Sequence, residues 1–147
     1  MPRCATFHLD RAILLGAHLQ GTDLGDASLE GASLRGAHLE EAALGGGVLD
    51  GADLADAHLE RAFLGRARLK GANLSYANLE GAFLHGADLE HAVLYGARLD
   101  EADLGEACLA GADITRTDLS RAQGLKQAQL DRVARREGAT LPSFPSG

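Results

Sequence analysis

Histidines and acidic residues recur in this sequence at intervals of 20 residues. The histidines are His18, His38 and His58, and the acids are Glu40, Glu60, Glu80 and Asp100. Imidazole nitrogens and carboxylate oxygens bind zinc and transfer protons in enzymes. If the fold brings these residues together, they could form a metal site, a catalytic site or a charged interaction surface. The choice depends on how the chain positions them.

Catalytic motifs are absent from the sequence. It contains no glycine-rich phosphate loop and no combination of a nucleophile with a general base. Cys4 and Cys108 are too few for a disulfide framework, and Cys108 has no evident activating neighbour. We therefore expect a protein that is not an enzyme and binds no cofactor.

A five-residue period determines where every side chain points. Leucine occupies each position whose number ends in 4 or 9, from Leu9 to Leu119, and Ile114 is the one substitution among these 23 centres. The residue two positions before each centre is alanine, apart from four units: Phe7, Thr22, Gly47 and Thr117. A helix would spread this pattern over all its sides, and a straight strand would point successive leucines to opposite faces. Neither element can bury it.

The pattern predicts a chain that turns a corner every five residues. Four units then close one square coil of 20 residues, and stacked coils pair like parallel strands about 4.8 Å apart. The centre of every unit is predicted to be buried, the alanine also points inward, and the other three residues point outward. Glycine recurs two positions after the centre, where a type II turn needs a positive φ. Each buried leucine contributes about 1.5–3 kcal/mol, so the leucine column is the main stabilising feature.

The units ADLAD, ANLSY, ANLEG and ADLEH resemble the A(D/N)LXX consensus of the pentapeptide-repeat proteins. The resemblance covers residues 7 to about 123. It implies an all-β solenoid, a right-handed quadrilateral parallel β-helix of about six coils. The position before the leucine departs from the consensus, because it is often His, Phe, Val, Arg or Ser rather than Asp or Asn. This variation indicates a surface adapted for binding.

The chain divides into three parts on this interpretation. Residues 1–6 are an N-terminal cap or a degenerate first repeat, in which Cys4 is in phase with the centres. Residues 7–123 are the β-helix, and residues 124–147 are a C-terminal capping helix and tail.

The tail carries an apolar stripe at helical spacing, which includes Leu125, Leu130 and Val133. We expect a short capping α-helix near residues 126–136 that covers the open end of the solenoid. In some members of the pentapeptide-repeat family the C-terminal segment also forms a dimer interface. This segment is therefore a candidate homodimer interface here.

Residues 20 apart share a face, and we name each face after its first centre. The Leu19 face holds the outward residues beside the centres Leu19 to Leu119, and its seven acids and three bases make it the most acidic. The candidate acidic interaction face on it is Glu40, Glu41, Glu60, Glu80, Asp100 and Glu101. Stacked like charges repel, so a sequence selected only for stability would mix signs there. The alternative is that the charge only keeps the protein soluble, since solvation together with Arg61 and Arg98 relieves much of the repulsion.

The quinolone-resistance branch of the resembling family implies one use for this charge, namely mimicry of DNA and binding to DNA gyrase or topoisomerase IV. Residues 7–123 carry a net charge of −10. Six coils span about 28 Å, and B-DNA of that length carries about 16 charges. A monomer is therefore a diluted mimic, and it lacks the loops that often project from that branch.

The histidine column points outward with its rings parallel. Zinc needs ligands that converge at about 2.0–2.1 Å, which parallel imidazoles on a flat face do not do. We predict a solvated histidine ladder and no metal site.

The Leu24 face holds the outward residues beside the centres Leu24 to Leu104. Phe63 and Phe83 are neighbours on it, surrounded by glycine and alanine. They form either a simple aromatic stack or a candidate apolar docking patch for a partner.

Composition narrows the class of partner. The net charge of −7 disfavours direct binding to nucleic acid or to an anionic membrane, and no apolar stretch is long enough to span a bilayer. We see no signal peptide and expect a cytoplasmic protein. The sequence favours a non-enzymatic protein-interaction module or scaffold with an unidentified protein partner. The alternative is the DNA-mimicking topoisomerase binder.

Overall fold

The computed structural model describes residues 6–145 of the chain, so the predicted N-terminal cap, including Cys4, lies outside the described residues apart from Thr6. The described chain forms a right-handed quadrilateral parallel β-helix, as predicted. Within this range, no helix has both the length and the apolar character needed to cross a membrane.

Consecutive coils are joined through the residue that precedes each centre. This residue forms a parallel bridge with its equivalent 20 positions later, from His8–Ser28 to Asp103–Gln123. The centre beside nearly every one of these bridges adds a hydrogen bond, as when the Leu59 N–H donates to the Asn78 carbonyl at 2.8 Å. Each strand segment is only a single bridge residue, because the chain turns again directly afterwards.

The corners are type II turns. The residue three positions after each centre donates its N–H to the centre's carbonyl, as Ala62 does to Leu59 at 3.0 Å. The residue two after the centre has a positive φ in every unit from Arg11 to Arg116. Glycine fills half of these positions, and residues such as Arg61 and Tyr76 fill the rest with φ of 57° and 58°. The turn therefore tolerates side chains, although the left-handed conformation costs an L-residue about 1–2 kcal/mol.

The core is a stack of leucine and alanine layers. From Leu24 to Leu119 every centre is at most 5% exposed. The prediction that all centres are buried is wrong for the first coil, where Leu9, Leu14 and Leu19 are only half-buried. Among the described residues these three leucines have a neighbouring coil on one side only, so their outer side remains accessible.

The tail differs from the predicted helix over residues 126–136. The single helix, α1, spans Gln127–Leu130 and is one turn long. The chain then returns to the coil path, where Arg135 bridges Asp113 and Thr140 bridges Asp118. The coil edge offers free backbone partners that a longer helix would leave unpaired, which explains the early end of α1.

The tail nevertheless packs against the C-terminal end of the core. Leu130 is buried, and Leu125 and Val133 are half-buried against the core. The Gln129 side chain donates to the carbonyls of Leu104 and Ala107, both at 2.9 Å. One helical turn and a partial seventh coil together cover the last leucine layer.

Candidate protein-interaction site

The consensus Asp or Asn before the centre has a local backbone role. At all eight units that carry one, its side-chain oxygen accepts the N–H of the residue two positions later, at 2.9–3.1 Å. The ladder does not use that N–H, so the side chain supplies its partner. Units with other residues at this position are free to carry side chains for another purpose, and His38, His58, Phe63 and Phe83 are among them.

The predicted acidic face is assembled on the Leu19 face, but its charges are paired. Glu80 meets Arg98 at 3.0 Å, and Glu41 meets Arg61 at 3.7 Å. Arg121 reaches two acids, Glu101 and, at 4.0 Å, Asp100. These pairs lower the repulsion expected of an acidic ladder, because each carboxylate has a basic group nearby.

Glu40 and Glu60 lie deeper in the same face. His38 Nδ1 is 3.0 Å from Glu40 Oε1, and the Asn78 amide donates to Glu60 Oε1 at 2.6 Å. The second oxygen, Oε2, of each carboxylate is enclosed and accepts no hydrogen bond from the described residues. Burial alone raises the pKa of Glu40, but the hydrogen bond from His38 and the charges of His38 and His58 outweigh it, so the pKa lies below its ordinary value.

Sequence reasoning missed a diagonal relation between neighbouring coils. The side chain that precedes a centre hydrogen-bonds to an acidic side chain in the coil before it. That acid directly follows its own centre and lies 18 positions earlier in the chain. The four pairs are Ser28–Asp10, Arg68–Asp50, Asn78–Glu60 and Arg98–Glu80. A search for complementary residues 18 apart would have found them.

The histidines form the predicted parallel ladder. The rings of His18 and His38 stack at 4.9 Å, and those of His38 and His58 stack at 4.5 Å with an interplanar angle of 2°. One ligand atom each from His38, Glu40 and His58 lies within 4.8 Å of the others. The predicted ladder is therefore present, and a carboxylate accompanies two of its rings.

The Leu24 face brings its two predicted aromatic residues together. The Phe63 and Phe83 rings are stacked, with their centroids 5.1 Å apart and an interplanar angle of 4°. The two residues are 48% and 45% exposed. Beside them run Gly45 and Gly65, where an added Cβ would meet only a backbone oxygen of the next coil, at 3.6 and 3.8 Å. The result is an apolar ridge beside a strip of bare backbone.

Comparison with known proteins identifies the architecture. The family model described as pentapeptide repeats (8 copies) matches residues 12–51, 48–86 and 84–121. No curated protein matches the chain.

Several solved structures are similar. HetL, a pentapeptide repeat protein involved in heterocyst differentiation regulation in the cyanobacterium Nostoc sp. strain PCC 7120, is 34% identical over 92% of this chain and 68% of its own, with a TM-score of 0.45. A pentapeptide repeat protein of the Arabidopsis thaliana thylakoid lumen is 28% identical over 76% of this chain and 70% of its own, also with a TM-score of 0.45. QnrB1, a plasmid-mediated fluoroquinolone resistance protein, is 15% identical over 86% of this chain and 73% of its own, with a TM-score of 0.40. On the match of its repeats to the family model, this chain belongs to the pentapeptide-repeat family.

Proposed function

We propose that this chain is a non-enzymatic protein-interaction module that receives a protein partner on the Leu24 face. The observation that carries the proposal is the exposed stack of Phe63 on Phe83. Aromatic residues provide large apolar contact areas and are enriched at the centres of protein interfaces.

The shape of the molecule supports an outer face as the site. Leucine and alanine side chains, together with Ile114 and Thr117, fill the interior from Leu24 to Leu119. Ligand sites in proteins are usually concave, whereas this solenoid offers long flat surfaces. Flat surfaces of repeat proteins suit extended contacts with other proteins.

The local composition supports the Leu24 face over the others. Gly45 and Gly65 let a partner approach the backbone closely, and the two rings provide an apolar anchor beside them. Asp23 and Asp103 lie in the same column on either side of the patch, which gives it a polar rim. This combination resembles the apolar centre and polar edge of transient interfaces.

A quantitative pull-down from the source cells tests the proposal. The bait is the full chain, compared with F63S/F83S and with the control Y76S, which removes an aromatic residue that is 59% exposed on another face. We expect a partner that binds the wild type and Y76S but not F63S/F83S. Its binding should persist from about 0.1 M salt upward, because apolar contacts are not screened by ions.

Two results would reject the proposal. One is a partner that binds F63S/F83S as well as it binds the wild type. The other is binding that disappears with moderate salt, which indicates an electrostatic contact instead.

The acidic Leu19 face supports a second candidate, a DNA mimic that binds DNA gyrase or topoisomerase IV. Its net charge of −4 and the net −10 of residues 7–123 favour this candidate. The ion pairs to Arg61, Arg98 and Arg121 weaken it, because they place positive charge among the acids.

A gyrase supercoiling assay tests the mimic, with and without a quinolone. A mimic should inhibit supercoiling or protect the enzyme from the drug, and E60Q/E80Q should reduce either effect more than F63S/F83S does. If the protein at micromolar concentration does neither, the mimic is rejected for that gyrase.

A further inference from the structure

The Leu19 face repeats one short unit in adjacent coils, His38-Leu39-Glu40 and His58-Leu59-Glu60. We propose that these units form a binding site for one zinc-class divalent transition-metal ion, with His38, Glu40 and His58 as ligands and Glu60 beside them. The site lies on a different face from the docking patch and does not depend on the proposed function.

The backbone brings the four side chains to one place. Leu39 and Leu59 point into the core, so the residues on both sides of each leucine point outward together. The parallel bridge between His38 and His58 sets the two units in register. The result is a square of two imidazoles and two carboxylates on one surface.

The ligand atoms are close enough for one ion after small side-chain rotations. Atoms of His38, Glu40 and His58 lie within 4.8 Å of one another, whereas two ligands of a tetrahedral zinc ion are about 3.3 Å apart, given bonds of about 2.0–2.1 Å. The His38 and His58 side chains are 33% and 45% exposed, so their rings have room to turn. Parallel imidazoles alone do not converge on a zinc ion, but here a ligand atom of the Glu40 carboxylate lies within 4.8 Å of ligand atoms of both histidines.

Unpaired oxygens point to a missing positive partner. Glu40 Oε2 and Glu60 Oε2 are the two enclosed side-chain atoms without a hydrogen-bond partner among residues 6–145. A buried acceptor without a donor is costly, and carboxylate oxygens are costlier still. A cation bound by Glu40 would satisfy this carboxylate and would lower the cost of the unpaired Glu60 oxygen beside it.

The ladder changes composition on both sides of this square. In the preceding coil the acid is replaced by Gln20, whose side chain is 3.4 Å from His18 Nδ1. In the following coil the histidine is replaced by Asn78, and Glu80 pairs with Arg98. Imidazole and carboxylate coexist in adjacent coils of this face only at residues 38–60, which limits the site to one ion.

The mixture of ligands selects the class of ion. Imidazole suits zinc, copper and nickel, whereas magnesium and calcium prefer oxygen ligands alone. Zn²⁺ is therefore the first probe, and Co²⁺ is a spectroscopic substitute because its visible absorption reports tetrahedral coordination.

Calorimetric titration of the full chain with Zn²⁺ tests the proposal. The variants are E40Q and H58N, which introduce the residue types found in the same columns at Gln20 and Asn78 and should leave the coil intact. The control is H91N, which alters an exposed histidine beside Glu90 on another face. We expect one Zn²⁺ per chain, affinity at least about tenfold weaker in E40Q and in H58N, and no change in H91N.

Two further readouts distinguish this site from other metal binding. Zn²⁺ should raise the melting temperature of the wild type and of H91N but not of H58N. Co²⁺ should give a visible band that H58N lacks. No saturable binding, or equal binding by wild type, E40Q and H58N, would overturn the proposal.

Discussion

Inward and outward residues alternate along this chain, yet they follow different rules. Inward, one leucine or alanine layer is nearly the same as the next, and each is closed off from solvent between Leu24 and Leu119. Outward, the Leu19 face carries paired charges, while the Leu24 face carries two phenylalanines beside bare glycine. The backbone ladder and the core layers specify the coil, so the faces can change without altering the fold.

The strongest test of this contrast uses two adjacent residues. Leu79→Lys places a charge in a position with no exposure, and the uncompensated burial should cost several kcal/mol and unfold the stack. Glu80→Lys should keep the fold and cost at most about 1 kcal/mol, because it replaces the exposed pair with Arg98 by an exposed like-charge contact that solvent screens. Chemical denaturation of both variants gives the comparison, and equal losses would refute the assignment of inner and outer positions.

Deletion of the tail should have the next largest effect on stability, because the tail covers the last leucine layer of the core. Deletion of residues 125–147 removes Leu130 and the bridges of Arg135 and Thr140, so we expect aggregation or a clear loss of thermal stability. The control is a truncation of residues 145–147 alone, which should behave as the full chain.

Sedimentation of the same proteins addresses the predicted homodimer. A dimer through the C-terminal segment should be present in the full chain and in the short truncation. A soluble long truncation with unchanged melting would show that the cap is dispensable, and a full-length monomer at high concentration would exclude the dimer.

A smaller effect is expected at the corners, which separate the inner from the outer positions. Gly51 has φ of 66° and open space around its missing Cβ, so Gly51→Ala tests backbone strain alone. We expect a loss of about 1–2 kcal/mol in denaturation. Glu41→Ala is the control, since residue 41 already bears a side chain at φ of 56°, and it should lose less. Equal losses would show that the turn does not distinguish glycine.

The smallest predicted effect concerns the polar side chains that support the coil from outside. Burial raises the pKa of Asp113, but its hydrogen bonds with Thr115 and the charge of Arg135 outweigh this and hold the pKa below its ordinary value. The ionised form is therefore favoured by folding. Its contribution is complete above the unfolded pKa of about 3.9 and is lost as pH falls through the lower folded pKa.

Asp113→Asn separates the hydrogen bond from the charge, because Asn73 and Asn78 accept the same bond in their own units. The variant should be nearly as stable as the wild type at pH 7 and should lose less stability than the wild type between pH 5 and pH 2, as measured by denaturation at each pH. Asp113→Ala should lose about 0.5–1.5 kcal/mol at pH 7. An unchanged acid response in Asp113→Asn would contradict this explanation.

The coil could be predicted from the sequence because its signal repeats in every unit. Leu59 or Leu79 alone says little, but an unbroken period of five excludes both regular elements and sets the 20-residue columns. The stacked Phe63 and Phe83 and the histidine ladder followed directly from those columns.

The features that the repeat pattern did not predict depend on residues whose surroundings occur only once in the chain. Leu125, Leu130 and Val133 are spaced for a helix, yet the free coil edge draws Arg135 and Thr140 back into the ladder. Leu9 has the same pattern as Leu59 but only one neighbouring coil among the described residues. The pairing of Arg121 with Glu101 depends on side-chain rotamers, which a repeat pattern does not specify.

From His8 to Gln123 the bridges keep a constant separation of 20 residues, which has a consequence for how such a chain can lengthen. An insertion of one full coil would extend the rod and leave every later residue on its original side. An insertion of five residues would preserve the core equally well but rotate everything downstream by a quarter turn. Placed after Leu49, it would part His58 from His38 and set it beside residues of another column. Duplication in steps of one unit therefore rearranges the surface of the rod while its interior stays the same.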